Sequence, residues 1–366
     1  LFYLNNVLHD VHFKYGFTEA AGNFQFKNYT NQGLGNDAVE ADAQDNSLST
    51  FPSTNNANFA TPPDGFAPRM QMYVFDLTNP FRDGDFANEI VVHEYGHGVS
   101  TRLTGGPANA NSLSTVQSAG MGEGWSDFWA LMFTQTASKQ ANDPNPIGTW
   151  VGGDPPSGPG GRRFPYSFDM SVDPLTFNDY NLDRSFFGQP EVHNTGEIWT
   201  SALWDMNWLL INKYGFDKDL STGFQVDPVT KTPVNGPAGA GNKLALQLVM
   251  NALKLQPANP TFVQARDYIL QADLALTGGQ NQREIWTAFA RRGLGAGAST
   301  SNSNAITVNP SFALPATLGN PAVIAQTPTA RVVGGPAPTS VTLTFSEAMD
   351  TSSFDPASDI VSFTGP

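Results

Sequence analysis

The stretch His93-Glu94-Tyr95-Gly96-His97 decides how this sequence is interpreted. It lies in a segment, about 86–103, whose apolar spacing predicts a helix with Asp85 as its N-cap. Residues four apart lie on one face of a helix, so both imidazoles can reach one Zn²⁺ at the roughly 2.0–2.1 Å usual for such bonds. Glu94 then projects beside the metal, where it can take a proton from a metal-bound water.

Two glycines inside this predicted helix require an explanation. Gly96 and Gly98 each cost the helix roughly 1 kcal/mol relative to alanine. Close approach of another backbone or of a substrate would explain both, and a frayed helix end explains Gly98 equally well.

A catalytic zinc requires a third protein ligand and an open fourth position. Metzincins continue the motif with a glycine and a further histidine at positions held here by Ser100 and Leu103, which excludes that class. The following predicted helix offers Glu123, with Asp127 one turn later. Asp127 is placed to orient a ligand histidine through its other ring nitrogen. The alternative for Glu123 is an acid that stabilises a helix N-terminus.

Composition excludes several other function classes. The 366 residues carry 19 basic and 33 acidic side chains, a net charge of −14 that opposes binding to nucleic acid. No apolar run approaches the roughly 20 residues of a membrane span. Cysteine is absent, which excludes thiol nucleophiles, thiolate metal sites and disulfides. The acidic balance, low lysine and high asparagine content fit an exported enzyme.

Further elements follow from periodicity. A strand is predicted at 71–75, with helices at about 1–16, 122–133, 194–212, 241–255, 259–275 and 281–292. A stretch at 315–335 that contains proline and threonine predicts a linker. Period-two alternation in 341–345 and 359–363 then predicts strands, which we interpret as the truncated start of an Ig-like β domain at 336–366.

Several segments together resemble the fungalysin family of secreted zinc metallopeptidases, whose site is similar in design to that of thermolysin. They are 34–39, 55–65, 93–98, 101–106, 120–128, 192–199 and 292–297. The resemblance covers most of residues 1–300. It implies that His93, His97 and Glu123 bind zinc and that Glu94 is the general base.

The chain departs from the family pattern in three ways. The family often has a larger residue than glycine at position 96. Fungal members use cystines, so the lack of cysteine favours a bacterial source. More residues separate His97 from Glu123 than separate the corresponding ligands of thermolysin. The chain is therefore not expected to belong to the thermolysin family itself.

The resemblance extends to candidates outside the metal ligands. His193 lies in a segment similar to the one whose histidine stabilises the transition-state oxyanion in thermolysin, although it could instead cap the helix that begins near residue 195. Residues 56–59 resemble a groove-edge strand that pairs with peptide backbone, which makes Asn56 and Phe59 candidate substrate-binding residues. Tyr180 is a further candidate for the oxyanion role.

The remaining polar groups leave alternatives open. Arg162 or Arg163 could bind a substrate carbonyl, but a solvated loop pair is favoured. An acidic loop could hold Ca²⁺, which prefers oxygen ligands, but a solvated loop is again favoured; it comprises Asp37, Glu40, Asp42 and Asp45. His9 and His12, with Asp10, could ligate a metal, but an ordinary helix surface is favoured.

We therefore expect an α+β, two-lobed zincin of the gluzincin type. A small mixed sheet and the His93 helix would form an N-terminal lobe at 1–105, and a mainly helical lobe would occupy 106–314. The expected function is that of a secreted zinc endopeptidase that hydrolyses peptide bonds by a zinc-activated water, with Glu94 as base. The alternatives are a zinc aminopeptidase or other zinc hydrolase on the same site, or a non-catalytic binding or adhesin module. We expect a monomer, and the family resemblance implies synthesis behind an inhibitory propeptide, which is not in this chain.

Overall fold

The computed structural model describes residues 1–50, 52–318, 323–327, 340 and 342–345. The chain divides into two compact units, Leu1–Leu314 and Pro315–Pro366. The predicted division of the first unit into two lobes at residue 105 stays a prediction.

Most of the regular structure in the first unit is helical. The α-helices described there are α1 (Phe2–Lys14), α2 (Asn88–Leu103), α3 (Val116–Thr134), α4 (Thr149–Gly152), α5 (Asp179–Leu182), α6 (Val192–Tyr214), α7 (Gly241–Leu255), α8 (Phe262–Thr277) and α9 (Gln282–Arg291). Short 3₁₀ turns lie at Glu19–Ala21, Gly84–Phe86, Leu220–Thr222 and Pro237–Gly239, with another at Ala316–Leu318 in the second unit. Among the helices of the described part of the chain, none combines the length and the apolar character needed to cross a bilayer.

The strands of the first unit form two small sheets. They are β1 (Glu40–Asp42), β2 (Ala57–Ala60), β3 (Arg69–Met72), β4 (Val74–Phe75) and β5 (Arg82–Asp83). The larger sheet has the order β1-β3-β2, with β1 parallel and β2 antiparallel to β3. Among the described residues β2 pairs with β3 alone, so its other edge, called here the free edge, has no strand partner there. The fold is thus mixed α+β with small sheets and mostly helical content, as the sequence predicts.

The core forms where α3 packs between α2 and α6. Its largest side chains are tryptophans that are at most 2% exposed, namely Trp125, Trp129, Trp199 and Trp204. The helices approach closely because glycines face their neighbours. A Cβ on Gly96 would lie 2.8 Å from Trp129 Cε3, and one on Gly124 would lie 2.6 Å from the carbonyl oxygen of Gly196. Burial of this aromatic layer fixes α2 and α3, which carry the candidate ligands.

Two local predictions were wrong. Asp85 does not cap α2, because it lies in the preceding 3₁₀ turn, where its backbone N–H donates to Asp83. His12 is not a surface residue: it is 1% exposed, and its ring stacks on that of Phe133. The periodicity of α1 carries the signal for this burial, since Leu8 and His12 are four residues apart on its inner face.

In the second unit, two strands pair antiparallel. They are β6 (Val323–Thr327) and β7 (Thr342–Phe345), with an irregularity in register between Val323 and Ala325. The predicted linker at 315–335 therefore includes a strand, because the alternation of β-branched and small residues there also favours extended backbone. Of the predicted β domain at 336–366, only residues 340 and 342–345 are described, and the strand predicted within 359–363 lies outside the described residues.

Candidate metal centre

Three side chains from α2 and α3 converge at one point. The Nε2 atom of His93 lies 3.1 Å from His97 Nε2 and 3.1 Å from Glu123 Oε2, and the distance from His97 Nε2 to Glu123 Oε2 is 3.6 Å. Among the described residues, no other group of three His, Cys, Asp or Glu side chains is this close. Tetrahedral zinc ligands at roughly 2.0–2.2 Å from the ion are separated by about 3.3 Å. The donor atoms and their spacing therefore fit a zinc ion.

Glycines in α2 make this convergence sterically feasible. A Cβ on Gly96 would lie 3.0 Å from the Cα of Ser126 on α3, so a larger residue would push the two helices apart. A Cβ on Gly98 would lie 2.6 Å from the rings of Phe24 and Phe59. Close packing therefore explains both glycines, and α2 continues past Gly98 to Leu103 without fraying.

Asp127 contacts His93 through the ring nitrogen that does not face Glu123. Its Oδ1 lies 2.7 Å from His93 Nδ1, as the sequence predicts for an orienting carboxylate. Arg162 donates to both oxygens of Asp127, at 2.6 and 2.8 Å, and the Tyr166 hydroxyl donates to Oδ2. Burial by itself would raise the pKa of Asp127, but Arg162 and His93 outweigh it and hold that pKa well below its usual range. The ionised carboxylate accepts a hydrogen bond from the Nδ1–H group of His93. The lone pair on Nε2 of His93 is then left for a metal.

The arginine predictions need correction. Arg162 is not in a solvated loop, because its side chain is 13% exposed and is paired with Asp127. Arg163 donates to Glu197 at 2.8 Å. Sequence reasoning missed Arg162 and Tyr166 as partners of Asp127, since they are separated from it by 35 and 39 residues in irregular chain.

Glu94 is buried beside the ligands. Its Oε2 atom has no hydrogen-bond partner among the described residues. Burial raises the pKa of Glu94 to about 7, an effect that the nearby His93 partly offsets. An unpartnered buried carboxyl with a pKa near neutrality is typical of a general base.

The cluster opens into a cavity of about 750 Å³. Its lining includes Asn55, Asn56, Ala57, Asn58, Phe59, Phe75, Leu77, Ile90, His93, Glu94, His97, Glu123, Ile147, Gly148, Val151, Gly152, Asp154, Gly160, Gly161, Arg162 and His193. His193 is half-exposed, with Nε2 at 3.4 Å from Glu123 Oε2 and Nδ1 at 2.7 Å from Glu191 Oε1. The structure thus places His193 next to the ligand cluster.

Strand β2 presents backbone groups on its free edge. The carbonyl oxygen of Asn56 accepts a hydrogen bond from the backbone N–H of Tyr73. Because antiparallel bonding alternates along a strand, Ala57 and Phe59 direct their backbone N–H and C=O groups away from β3. The Phe59 ring packs against Phe24 and lies near Tyr95. Ala57 lies within the segment predicted at 56–59, but only Asn56 and Phe59 were named as candidates there, because alanine offers no side-chain chemistry.

One further prediction is contradicted, and another is refined. Tyr180 is buried outside the cluster, and its hydroxyl donates to the carbonyl oxygen of Ala305. Among the described residues, the carboxylates of the acidic loop do not form a cluster of three or more candidate ligands. Asp37 pairs with Arg102 at 2.8 Å, while two more of its carboxylates pair with Arg69, namely Asp42 and Asp45. Arginine pairing thus accounts for three of the four carboxylates, and the Asp42–Arg69 pair is partly exposed, as expected for a solvated loop; calcium binding stays a prediction.

Comparison with known proteins identifies the family. Residues 1–298 match the family described as fungalysin metallopeptidase. The chain is 47% identical over 306 residues to "Extracellular metalloproteinase mep" of Aspergillus fumigatus, covering 84% of this chain and 45% of that protein. It is 46% identical over 298 residues to "Extracellular metalloproteinase MEP" of Pyricularia oryzae, covering 81% and 44%. The chain thus spans less than half the length of these relatives.

The relatives contradict one inference from composition. They are fungal, which argues against the bacterial source that the lack of cysteine favoured. A chain of this size can bury a large apolar core without disulfides, so its cysteine count does not report its source. Together with the converging histidines and carboxylate, the match over residues 1–298 shows that the chain belongs to the fungalysin metallopeptidase family.

Proposed function

We propose that this chain is a zinc-dependent endopeptidase that acts outside the cell and hydrolyses internal peptide bonds of proteins. One observation carries the proposal. The Nε2 atoms of His93 and His97 lie within 3.6 Å of Glu123 Oε2, and the carboxyl group of Glu94 lines the same cavity. Family membership implies a metal, and the relatives named above are described as extracellular metalloproteinases.

The three ligand residues suit zinc in chemistry as well as in spacing. Two imidazoles and one carboxylate form a common donor set of catalytic zinc sites, which keep a further position open. That position would face the cavity. When bound, Zn²⁺ supplies a Lewis acid that polarises a carbonyl group and makes water more acidic.

Glu94 has the position and burial of the base in this reaction. Its carboxylate would accept a proton from the attacking water and return it to the leaving amine. A carboxyl whose pKa lies near 7 can do both at neutral pH. Asp127, held by Arg162, would keep His93 in the tautomer that leaves Nε2 free for the metal.

His193 is proposed to stabilise the charge that develops on the substrate carbonyl oxygen. Its contact with Glu191 through Nδ1 orients the ring so that Nε2 faces the cavity next to Glu123. With a proton on Nε2, the ring can donate a hydrogen bond to that oxygen, where a preorganised donor is most effective.

The substrate chain is proposed to pair with the free edge of β2. Ala57 and Phe59 offer backbone donors and acceptors there, so an extended peptide can add as a strand whatever its sequence. Asn56 lines the cavity with its side chain. Backbone pairing of this kind favours unfolded or loosely folded segments of proteins as substrates. A single bound zinc, a monomeric state, an inhibitory propeptide and the two-lobed arrangement stay predictions.

A casein assay with peptide mapping tests the proposal. The chain should degrade casein, a chelator should abolish the activity, and added zinc should restore it. Mass spectrometry should identify cleavage at internal bonds from the first minutes. Stepwise release of N-terminal residues would instead support an aminopeptidase. No chelator-sensitive cleavage of casein or of short peptides would overturn the hydrolase assignment.

A further inference from the structure

A hairpin just before α6 carries two aromatic side chains that the proposed mechanism does not use. Phe186 is 57% exposed and Phe187 is 95% exposed. Their ring centroids lie 5.1 Å apart, with the planes at 70°. Exposure of two adjacent large apolar side chains is unfavourable in water, so this tip is a candidate contact surface.

The backbone of the tip is strained at one of the two rings. Phe186 and Gln189 exchange backbone hydrogen bonds of 3.1 and 2.9 Å, which closes a two-residue turn. Phe187 and Gly188 have φ values of +52° and +82°. Positive φ is unfavourable for a bulky residue, and asparagine is strongly preferred before glycine in such turns. Phenylalanine at position 187 is therefore unfavourable for the backbone conformation of this turn. A residue kept in an unfavourable backbone conformation is typical of functional sites.

The base of the hairpin is held firmly. Asp183 accepts hydrogen bonds from the backbone N–H and hydroxyl of Ser185 and from the backbone N–H of Glu191, at 2.6–3.0 Å. Burial opposes ionisation of Asp183, but these bonds outweigh it and lower its pKa. The two rings are thus presented on an ordered support, which reduces the entropy lost when they bind.

The same support connects the hairpin to the candidate metal centre. Asn194 donates to the Ser185 hydroxyl at 3.1 Å, and Glu191 contacts His193, which in turn lies 3.4 Å from Glu123. Phe187 is six residues from His193, so their Cα atoms are at most about 20 Å apart. An extended peptide of about six or seven residues spans that distance, so a substrate chain that leaves the cleft in this direction can reach the tip.

We propose that Phe186 and Phe187 form an exosite that binds apolar side chains of a protein substrate several residues away from the scissile bond. This inference rests on the proposed function. A polypeptide held in the cleft places its own side chains beside the hairpin, so no additional partner is needed. A membrane surface is a poorer occupant, because a net charge of −14 opposes approach to anionic lipids.

Substitution at the strained position tests this exosite without endangering the fold. Phe187→Asn creates an Asn-Gly turn, which favours the same backbone, and Phe186→Ser removes the second ring. The double variant and each single variant are compared with Phe2→Ser, which removes an aromatic ring that is 84% exposed on α1. Thermal unfolding should occur at the wild-type temperature or above it for Phe187→Asn.

Two substrates of different length give the readout. With casein, the double variant should raise KM roughly three- to tenfold and leave kcat within about twofold, since apolar contact area is lost away from the reacting bond. With a quenched peptide of four residues, neither constant should change. Phe2→Ser should match the wild type on both substrates.

Three results would overturn the exosite. They are an unchanged KM for casein, an equal loss on casein and on the short peptide, and, in a sedimentation assay with phosphatidylserine vesicles, wild-type binding that the double variant loses while its KM for casein is unchanged. A wild-type chain that cleaves neither substrate would instead refute the proposed function.

Discussion

The Oδ1 atom of Asp127 lies 2.7 Å from Nδ1 of His93, on the side of the ring opposite the nitrogen that faces Glu123. This contact fixes which ring nitrogen carries the proton. Arg162 and Tyr166, which lie 35 and 39 positions after Asp127, in turn fix that carboxylate, so the orientation of His93 depends on residues far along the chain.

Asp127→Asn should weaken zinc binding about ten- to hundredfold, because His93 loses an ionised acceptor for its Nδ1 proton. It should also lower the free energy of unfolding by about 3–5 kcal/mol, since Arg162 is left buried without its counter-charge. Competition with a chromogenic chelator and urea denaturation measure the two effects. Tyr166→Phe, which removes one of these bonds only, should show a smaller loss, and wild-type zinc affinity in the Asp127 variant would contradict the orienting role.

Glu94→Gln should keep zinc and lose at least about 100-fold in kcat, because an amide cannot accept the proton of the attacking water. Zinc content by elemental analysis and turnover of a quenched peptide provide the test. Glu89→Gln, on the first turn of the same helix, is the matched control and should retain activity. Substantial turnover by the Glu94 variant would show that another group is the base.

The candidate ligands on each helix follow from local spacing, whereas the resemblance to a known family is what joined Glu123 to the two histidines. His93 and His97 are one helical turn apart, and Glu123 and Asp127 repeat that spacing on the next helix. The contacts of Arg162 and Tyr166 with Asp127 could not be predicted, since both join residues that are far apart in the sequence and lie in irregular chain. The burial of His12 had a local signal in the position of Leu8, but the imidazole was assigned to the surface on its polarity alone.

Gly96→Ala should lower the free energy of unfolding by about 1–3 kcal/mol, although alanine favours helix. Its Cβ would lie 2.8 Å from the Trp129 ring and 3.0 Å from the backbone of Ser126, neither of which can move freely in the core. Gly122→Ala is the matched control, because its Cβ would meet nothing closer than 3.7 Å. The Gly122→Ala variant should raise the free energy of unfolding by up to about 1 kcal/mol, because alanine favours helix. Urea denaturation at a fixed zinc concentration gives the free energy of unfolding of both variants. An equal change in the two would contradict the close approach of α2 and α3.

His12 should make the fold less stable in acid. Burial lowers its pKa from 6.5 to about 4, although a hydrogen bond to the Leu8 carbonyl partly opposes this. Well above pH 6.5 the imidazole of His12 is neutral in both the folded and the unfolded chain, so it contributes no pH dependence to stability. Between pH 6.5 and 4 the unfolded chain takes up a proton that the folded chain excludes, so the free energy of unfolding falls by at most about 3 kcal/mol.

His12→Phe should remove this contribution, because the ring stacked on Phe133 is kept and the titrating nitrogen is lost. Urea denaturation of wild type and variant at several pH values between 4 and 7 measures the difference in slope. Identical slopes would show that His12 is not held neutral by the fold.

The central claim is that His93, His97 and Glu123 bind one zinc ion, and anomalous diffraction at the zinc absorption edge tests it most directly. Crystals grown with zinc should contain one strong anomalous peak about 2.0–2.2 Å from both Nε2 atoms and from a carboxylate oxygen of Glu123. A strongest peak elsewhere, or none among these three side chains, would contradict the account.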